Sequence, residues 1–177
     1  LWRLTKMSNK LYIGIDNGST GTIGIIHDDY IRFELTPVFE TLSYTHTAQY
    51  IKRLNVEKFT SIIMDALKET GTETFNTICV IERPLINPKM FKATLSAVRI
   101  FEAQLCVLDM IGIPYRFIDS KHWQRDILPV GVKTSPELKK ASMNVGLRLF
   151  PSQEDLIRKH KDADGMLIAE WARRKNA

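Results

Sequence analysis

Short apolar runs typical of strands alternate with longer segments of helical periodicity along this chain. Residues 11–15 (L-Y-I-G-I) and 23–26 (I-G-I-I) flank a glycine-rich segment, which predicts a β-hairpin with a wide turn. The alternating residues 31–35 predict a third strand. The β-branched run 77–81 (T-I-C-V-I) predicts a strand buried on both faces, and residues 115–118 predict a further strand. These strands are enough for one central sheet.

The remaining apolar residues recur with the spacing of helices. Gly71 ends the first predicted helix and Gly112 ends the second, while Ser135 is the predicted N-cap of the fourth, with Pro136 in its first turn. The predicted helical ranges are 55–68, 91–111, 120–128, 135–150 and 163–174. Helices between and after the strands predict a mixed central β-sheet flanked by helices on both faces, a three-layer α/β fold.

Length and composition fit one globular domain. The chain has 177 residues, of which 44% are hydrophobic and 25% charged. We expect a single domain over residues 10–177, preceded by a poorly ordered leader at 1–9. Charged residues interrupt every apolar run before it reaches the roughly 20 residues of a membrane span. Cys79 and Cys106 lack metal-ligand spacing, so we expect buried reduced thiols and a cytoplasmic location.

Positive charge is concentrated in the second half of the chain. The formal net charge is +5, and residues 1–82 carry 8 Lys and Arg against 10 Asp and Glu, so the whole basic surplus follows residue 82. A basic surface favours a polyanionic partner such as nucleic acid. A solvated surface without a partner is the alternative interpretation, because lysine excess is common.

Acidic residues occupy positions that a sheet can bring together. Asp16 ends the first predicted strand, Glu82 ends the buried strand, and Asp162 or Asp164 begins the last helix. Adjacent strands lie about 4.8 Å apart, so carboxylates at the same end of neighbouring strands can share a cation. Clustered carboxylates repel one another unless an oxygen-seeking ion such as Mg²⁺ neutralises them. The pattern therefore predicts metal-dependent hydrolysis of a phosphodiester. Considered alone, Asp16 is equally typical of an ordinary turn, where aspartate is common.

Three segments together resemble the RuvC family of Holliday junction resolvases, within the ribonuclease H-like superfamily. They are I-G-I-D-N-G-S-T-G-T-I-G-I-I, V-I-E-R-P and A-D-G-M-L-I-A-E-W. The pair Trp123 and Gln124 and the L-F-P at 149–151 make the phage-encoded branch the most similar. The resemblance implies a homodimeric endonuclease of DNA recombination and repair. It implies paired nicks in four-way and other branched DNA, with two Mg²⁺ ions per site and Mn²⁺ as a substitute.

The resemblance also implies the metal ligands. Asp16 matches the family's first-strand ligand, Glu82 its central-strand ligand and Asp164 the aspartate that opens its last helix. The family commonly has an aspartate or histidine where this chain has Lys161. Since residues two apart on a helix point in nearly opposite directions, Asp162 can join Asp164 only from the preceding turn. We favour Asp162 as the fourth ligand, with His160 and Lys161 as alternatives and with a simple helix cap as its other interpretation.

Basic residues and one loop are expected to hold the DNA. The resemblance implies a lysine near the scissile phosphate, for which Lys139 and Lys140 are the candidates, and a loop at 83–92 that enters the junction centre. Leu85, Met90 or Phe91 is expected to wedge against unstacked bases, although packing onto the following helix fits Phe91 at least as well. The residues expected to meet phosphates, or to lie on a solvated face, are Arg83, Lys89, Lys92, Lys121, Arg125 and Lys133.

Two other function classes are compatible with parts of the sequence. The segment D-N-G-S-T-G-T also resembles the phosphate loop of actin-like ATPases and sugar kinases, but those proteins need two such domains. A non-catalytic module that binds branched DNA would gain nothing from gathering carboxylates where phosphate must lie. The helix at 91–111 is the candidate dimer surface.

Overall fold

The computed structural model describes residues 10–44, 46 and 48–176. The prediction that residues 1–9 form a leader lies outside this part of the chain. The strands in the described part are β1 (Leu11–Ile15), β2 (Thr22–His27), β3 (Tyr30–Leu35), β4 (Val38–Leu42), β5 (Tyr50–Leu54), β6 (Thr77–Glu82) and β7 (Tyr115–Ile118). Its helices are α1 (Val56–Thr70), α2 (Phe91–Ile111), α3 (Ser120–Ile127), α4 (Ser135–Leu149), α5 (Glu154–His160) and α6 (Asp164–Lys175).

A five-stranded mixed sheet forms the centre, with strands in the order β3-β2-β1-β6-β7. The first three strands are antiparallel neighbours, whereas β6 runs parallel to both β1 and β7. Helix α1 lies in the crossover from β1 to β6 and helix α2 in that from β6 to β7, as parallel pairing requires. The parallel pairs end at the same edge of the sheet, so the residues that follow β1 and β6 are brought together there.

Helices cover both faces of this sheet, which confirms the predicted three-layer α/β fold. On one face Ile13 and Ile81 pack with Phe59 of α1 and Leu108 of α2. On the other face lie α3, α4, α5 and α6, whose buried side chains, including Trp123 of α3, form a second core. Side chains of successive β1 residues enter opposite cores, as the strand pleat requires. None of the described helices is long and apolar enough to cross a membrane.

Two paired glycines let α6 approach the sheet closely. Gly14 and Gly24 face each other across β1 and β2. A Cβ atom on Gly14 would lie 2.2 Å from the backbone nitrogen of Ala169, and one on Gly24 would lie 2.4 Å from the Cα of Met166. Any side chain at either position would push the helix away. The glycines therefore set how far the first residue of α6, Asp164, lies from the strand ends.

Four features differ from the sequence predictions. The hairpin of β4 and β5 forms a separate two-stranded sheet, and its half-exposed strands lack a clean apolar alternation. Helix α5 was also missed, because it has a single buried residue. The N-cap of α4 is Thr134 rather than Ser135, since the Glu137 carboxylate accepts the N–H of Thr134 at 3.0 Å. Both cysteines are free, but only Cys79 is buried, because Cys106 lies on the outer face of α2.

Candidate active site

The predicted acids meet at one edge of the sheet. Register pairs Ile15 with Ile81, so Asp16 and Glu82 are the next positions along two neighbouring parallel strands. Asp16 is fixed by its backbone N–H, which donates to the carbonyl of Thr22 at 2.9 Å. Asp164 opens α6, which packs across β1 and β2.

Burial and mutual repulsion dominate the electrostatics of this acid cluster. Burial raises the pKa of Asp16 well above its usual range, and the charges of Asp164, Glu82 and Asp162 raise it further. Burial likewise raises the pKa of Glu82 to about 7 and that of Asp164 to about 6. Lys139 opposes the rise at Asp16, Asp162 and Asp164. Carboxyl groups whose pKa values are raised by burial and by one another's charge favour a cation between them.

A buried tryptophan holds Glu82. The indole Nε1–H of Trp123, in α3, donates a 2.7 Å hydrogen bond to Glu82 Oε2 and lowers the pKa of that carboxyl, although burial outweighs this effect. Trp123 is fully buried. One oxygen of Glu82 is therefore fixed, which leaves Oε1 for another partner.

A buried serine of α4 holds Asp164. The Ser142 hydroxyl donates to Asp164 Oδ1, and the Ser142 Oγ atom also accepts the backbone N–H of Ala163 at 3.0 Å. On the next residue, the N–H of Gly165 donates to Thr22 Oγ1 at 2.9 Å. The start of α6 is thus tied both to α4 and to the first residue of β2. Sequence reasoning missed Ser142 and Thr22, because a serine in a helix and a threonine in a strand carry no distinguishing pattern.

Asp162 lies in the turn between α5 and α6, as predicted for a fourth ligand entering from outside the helix. Its carboxylate accepts the backbone N–H of Asp164, while its Oδ1 atom is buried without a hydrogen-bond partner. Of the two alternatives, His160 is near enough to Asp162 for the charge of each to affect the pKa of the other. His160 packs edge-on against Phe33 at 5.9 Å, and Lys161 is an exposed residue in the left-handed conformation that ends α5.

The donor set fits a divalent metal in its chemistry. Hard cations such as Mg²⁺ prefer carboxylate oxygens, and the orphaned Asp162 Oδ1 is a buried acceptor that lacks a partner. In the described part of the chain, no three His, Cys, Asp or Glu side chains already lie close enough to form a complete ligand cluster.

Of the two candidate lysines, only Lys139 lies by the acids, since its charge lowers the pKa of three of them. Lys140, on the next position of α4, lines a separate cavity of about 430 Å³ together with Glu137 and Arg148. Neighbouring positions on a helix point about 100° apart, which explains the difference.

A wide basic groove contains three of the predicted DNA contacts. Lys121, Arg125 and Lys133 line a cleft of about 680 Å³ between α3 and the segment that leads into α4. Leu85, from the loop after β6, lines the same cleft. Arg83 is less available to contact DNA, because it forms a 2.9 Å ion pair with Asp119.

The loop after β6 exposes apolar and basic side chains beside the acids. It lines a smaller cavity of about 240 Å³ that also includes Glu82 and Asn17. Leu85 is 82% exposed and Phe91 is 67% exposed, so Phe91 does not pack onto the body of α2. Lys89 and Lys92 are exposed on either side of it. Both side-chain amide atoms of Asn17 are buried without partners, a feature that the sequence reasoning missed.

The five-stranded mixed sheet with helices on both faces is a fold that also occurs in solved structures. The chain is similar to the structure of T. thermophilus RuvC in complex with Holliday junction substrate, with a TM-score of 0.56 and 14% identity over 94% of this chain and 96% of that one. A second Thermus thermophilus RuvC structure matches over the same shares, with 14% identity and a TM-score of 0.50. No protein-family pattern and no curated protein sequence matches the chain. At such identity the likeness establishes the fold.

Proposed function

We propose that this protein is a metal-dependent, structure-selective endonuclease that resolves four-way and other branched DNA by paired nicks. The main support for this proposal is that Asp16, Glu82 and Asp164 lie at one edge of the sheet. Each of these carboxyl groups has a raised pKa. A fold shared with a RuvC bound to a Holliday junction supports the substrate class.

Asp16, Glu82, Asp162 and Asp164 are the residues that would hold Mg²⁺ or Mn²⁺, with two ions expected. When bound, such ions supply an activated water and charge stabilisation at phosphorus. The chain's own groups orient these ligands: Trp123 fixes one oxygen of Glu82. Ser142 fixes one oxygen of Asp164.

Substrate binding follows from the positive and apolar surfaces around the acids. Lys139 is the basic group in electrostatic contact with the cluster and is suited to hold the scissile phosphate. The groove containing Lys121, Arg125 and Lys133 is suited to duplex backbone, and exposed Phe91 to an unstacked base. Lys89 and Lys92 extend this surface. Homodimerisation through α2, a cytoplasmic location and membership of the phage branch remain part of the proposal.

The test is cleavage of synthetic four-way, three-way and linear DNA with Mg²⁺, with a chelator as the control. We expect symmetric paired nicks in the four-way substrate. Asp16→Asn, Glu82→Gln and Asp164→Asn should each abolish cleavage while leaving junction binding intact. Binding by all four proteins without any difference in cleavage would refute the proposed catalytic site and leave a non-catalytic binding module. Lys140→Gln serves as the charge-matched control for Lys139→Gln.

A further inference from the structure

The hairpin of β4 and β5 forms a second basic surface, on the other side of α2 from the acids. A groove of about 260 Å³ runs between this hairpin and the first turns of α2. We call it the hairpin groove and define it by Tyr44, Tyr50, Lys52, Lys92 and Arg99. Of these, only Lys92 was expected to contact DNA from its sequence.

The three cations of the hairpin groove have no acidic partner within the part of the chain that the structure describes. Among the described residues, none of Lys52, Lys92 and Arg99 forms an ion pair, although Glu40 lies opposite Lys52 in the strand register. Arg99 lies over the ring of Tyr44 at 5.8 Å, and its Nε atom is buried without a hydrogen-bond partner. Leaving a buried charged donor unsatisfied is costly, so the arrangement favours an anionic ligand.

The aromatic residues favour a nucleic-acid backbone over a small free anion. Tyr44 is 77% exposed and Tyr50 is 73% exposed, both on the rim of the groove. A tyrosine ring offers an apolar surface to a sugar and a hydroxyl to a phosphate oxygen. Tyrosine rings and cations in the same groove suit the sugars and phosphates of a nucleic-acid backbone.

The hairpin groove and the cavity that contains Glu82 lie on two sides of the first turns of α2. Ala93, Thr94 and Ala97 line the cavity that contains Glu82, whereas Lys92 and Arg99 line the hairpin groove. The first turns of α2 are therefore the shared wall of two neighbouring surfaces. DNA whose scissile phosphate lies at the acids can pass over this wall.

We infer that the hairpin groove binds the phosphodiester backbone of a duplex arm leaving the branch point. This inference rests on the proposed function, and it adds a contact for one arm outside the acid cluster. Each phosphate contact contributes salt-dependent affinity without sequence preference.

The experiment measures binding of a fluorescent four-way junction in a chelator at several salt concentrations. Lys52→Gln combined with Arg99→Gln should weaken binding about tenfold and reduce the slope of log K against log salt by about 2. Arg53→Gln is the matched control, because Arg53 lies on the same strand but outside the groove, over the ring of Phe39. Lys52→Gln alone, which leaves the Arg99 and Tyr44 contact intact, should reduce the slope by about 1.

Arm length provides the second readout. The difference between the wild type and the double variant should be lost when the arms are cut to less than about one helical turn of about 10 bp. A double variant indistinguishable from Arg53→Gln on long arms would overturn the inference. Absence of any wild-type preference for junction over linear duplex would instead count against the proposed function, and the same variants on linear duplex would still report on the hairpin groove.

Discussion

Trp123 and Glu82 are joined by a 2.7 Å hydrogen bond that links the centre of one hydrophobic core to the acid cluster. The indole donor is neutral and fully buried, whereas its acceptor ends a central strand. A carboxylate held by one oxygen has a fixed direction for the other, as ligands of metal ions require.

Trp123→Phe tests this relationship. The ring is kept and the donor is lost, so we expect the free energy of unfolding to fall by about 1 to 3 kcal/mol and cleavage by about tenfold or more. Since the indole lowers the pKa of Glu82, its loss should raise that pKa and shift the pH profile of cleavage upward. Trp171→Phe is the control, because Trp171 donates at 3.0 Å to Asp126 outside the acid cluster. Equal pH profiles for both variants would contradict a positioning role.

Ser142→Ala should release Asp164 and leave the N–H of Ala163 without an acceptor. We expect a loss of about 1 to 3 kcal/mol in the free energy of unfolding and slower cleavage at constant junction affinity. Ser61→Ala removes a comparable serine to aspartate bond, between Ser61 and Asp65 on the exposed face of α1. Thermal unfolding and single-turnover cleavage measure the two effects. If Ser142→Ala cleaves as fast as Ser61→Ala, Ser142 does not position Asp164 for cleavage.

The chelated protein should lose stability as pH rises. The pKa values of Glu82 and Asp164 in the folded state, about 7 and about 6, lie above their usual values. The folded chain therefore binds more protons than the unfolded chain between about pH 4 and pH 7, and its free energy of unfolding falls over that range.

The fall should be on the order of 5 kcal/mol, since one pKa unit corresponds to about 1.4 kcal/mol, and Mg²⁺ should reverse it by neutralising the cluster. Melting temperatures at pH 5 and pH 8, each with chelator and with Mg²⁺, measure it. Glu82→Gln should reduce the difference between the melting temperatures at pH 5 and pH 8 in chelator. A wild type whose melting temperature in chelator is the same at both pH values would be inconsistent with the raised pKa values.

Gly14→Ala should displace α6 and with it Asp164. We expect a destabilisation of about 1 to 3 kcal/mol and a larger loss of cleavage than stability alone explains. Gly112→Ala is the comparison, because its added Cβ would meet nothing within 4 Å and costs only the strain of a positive φ, about 1 kcal/mol. Cleavage is compared at a temperature at which both variants are folded. An equal loss of cleavage in the two variants would show that the close packing of α6 does not set the geometry of the site.

The sequence predicted most of the central sheet and the placement of the acids. Helix α2 has the predicted bounds Phe91–Ile111, because its apolar spacing is long and Gly112 ends it in the left-handed conformation. Asp16 and Glu82 were placed correctly because parallel strands end at one edge of a sheet, whatever the loops between them do.

The parts that sequence could not predict depend on contacts between distant segments. The β4 and β5 hairpin is stabilised by α2, so its own pattern carries little signal. Lys139 and Lys140 are equivalent by composition, and only the rotation of α4 against α6 distinguishes them. Ser142 and Thr22 matter through the backbone of α6, which no local pattern indicates.

The carboxylates Asp16 and Asp164 come from opposite ends of the described chain and meet only when α6 docks across the paired glycines of β1 and β2. A partly folded molecule, even one with an intact sheet, lacks the acid that opens this helix. Under the proposed function, cleavage activity should thus appear only when the tertiary structure is complete. Such coupling would, under the proposed function, prevent incompletely folded copies of the protein from cutting DNA.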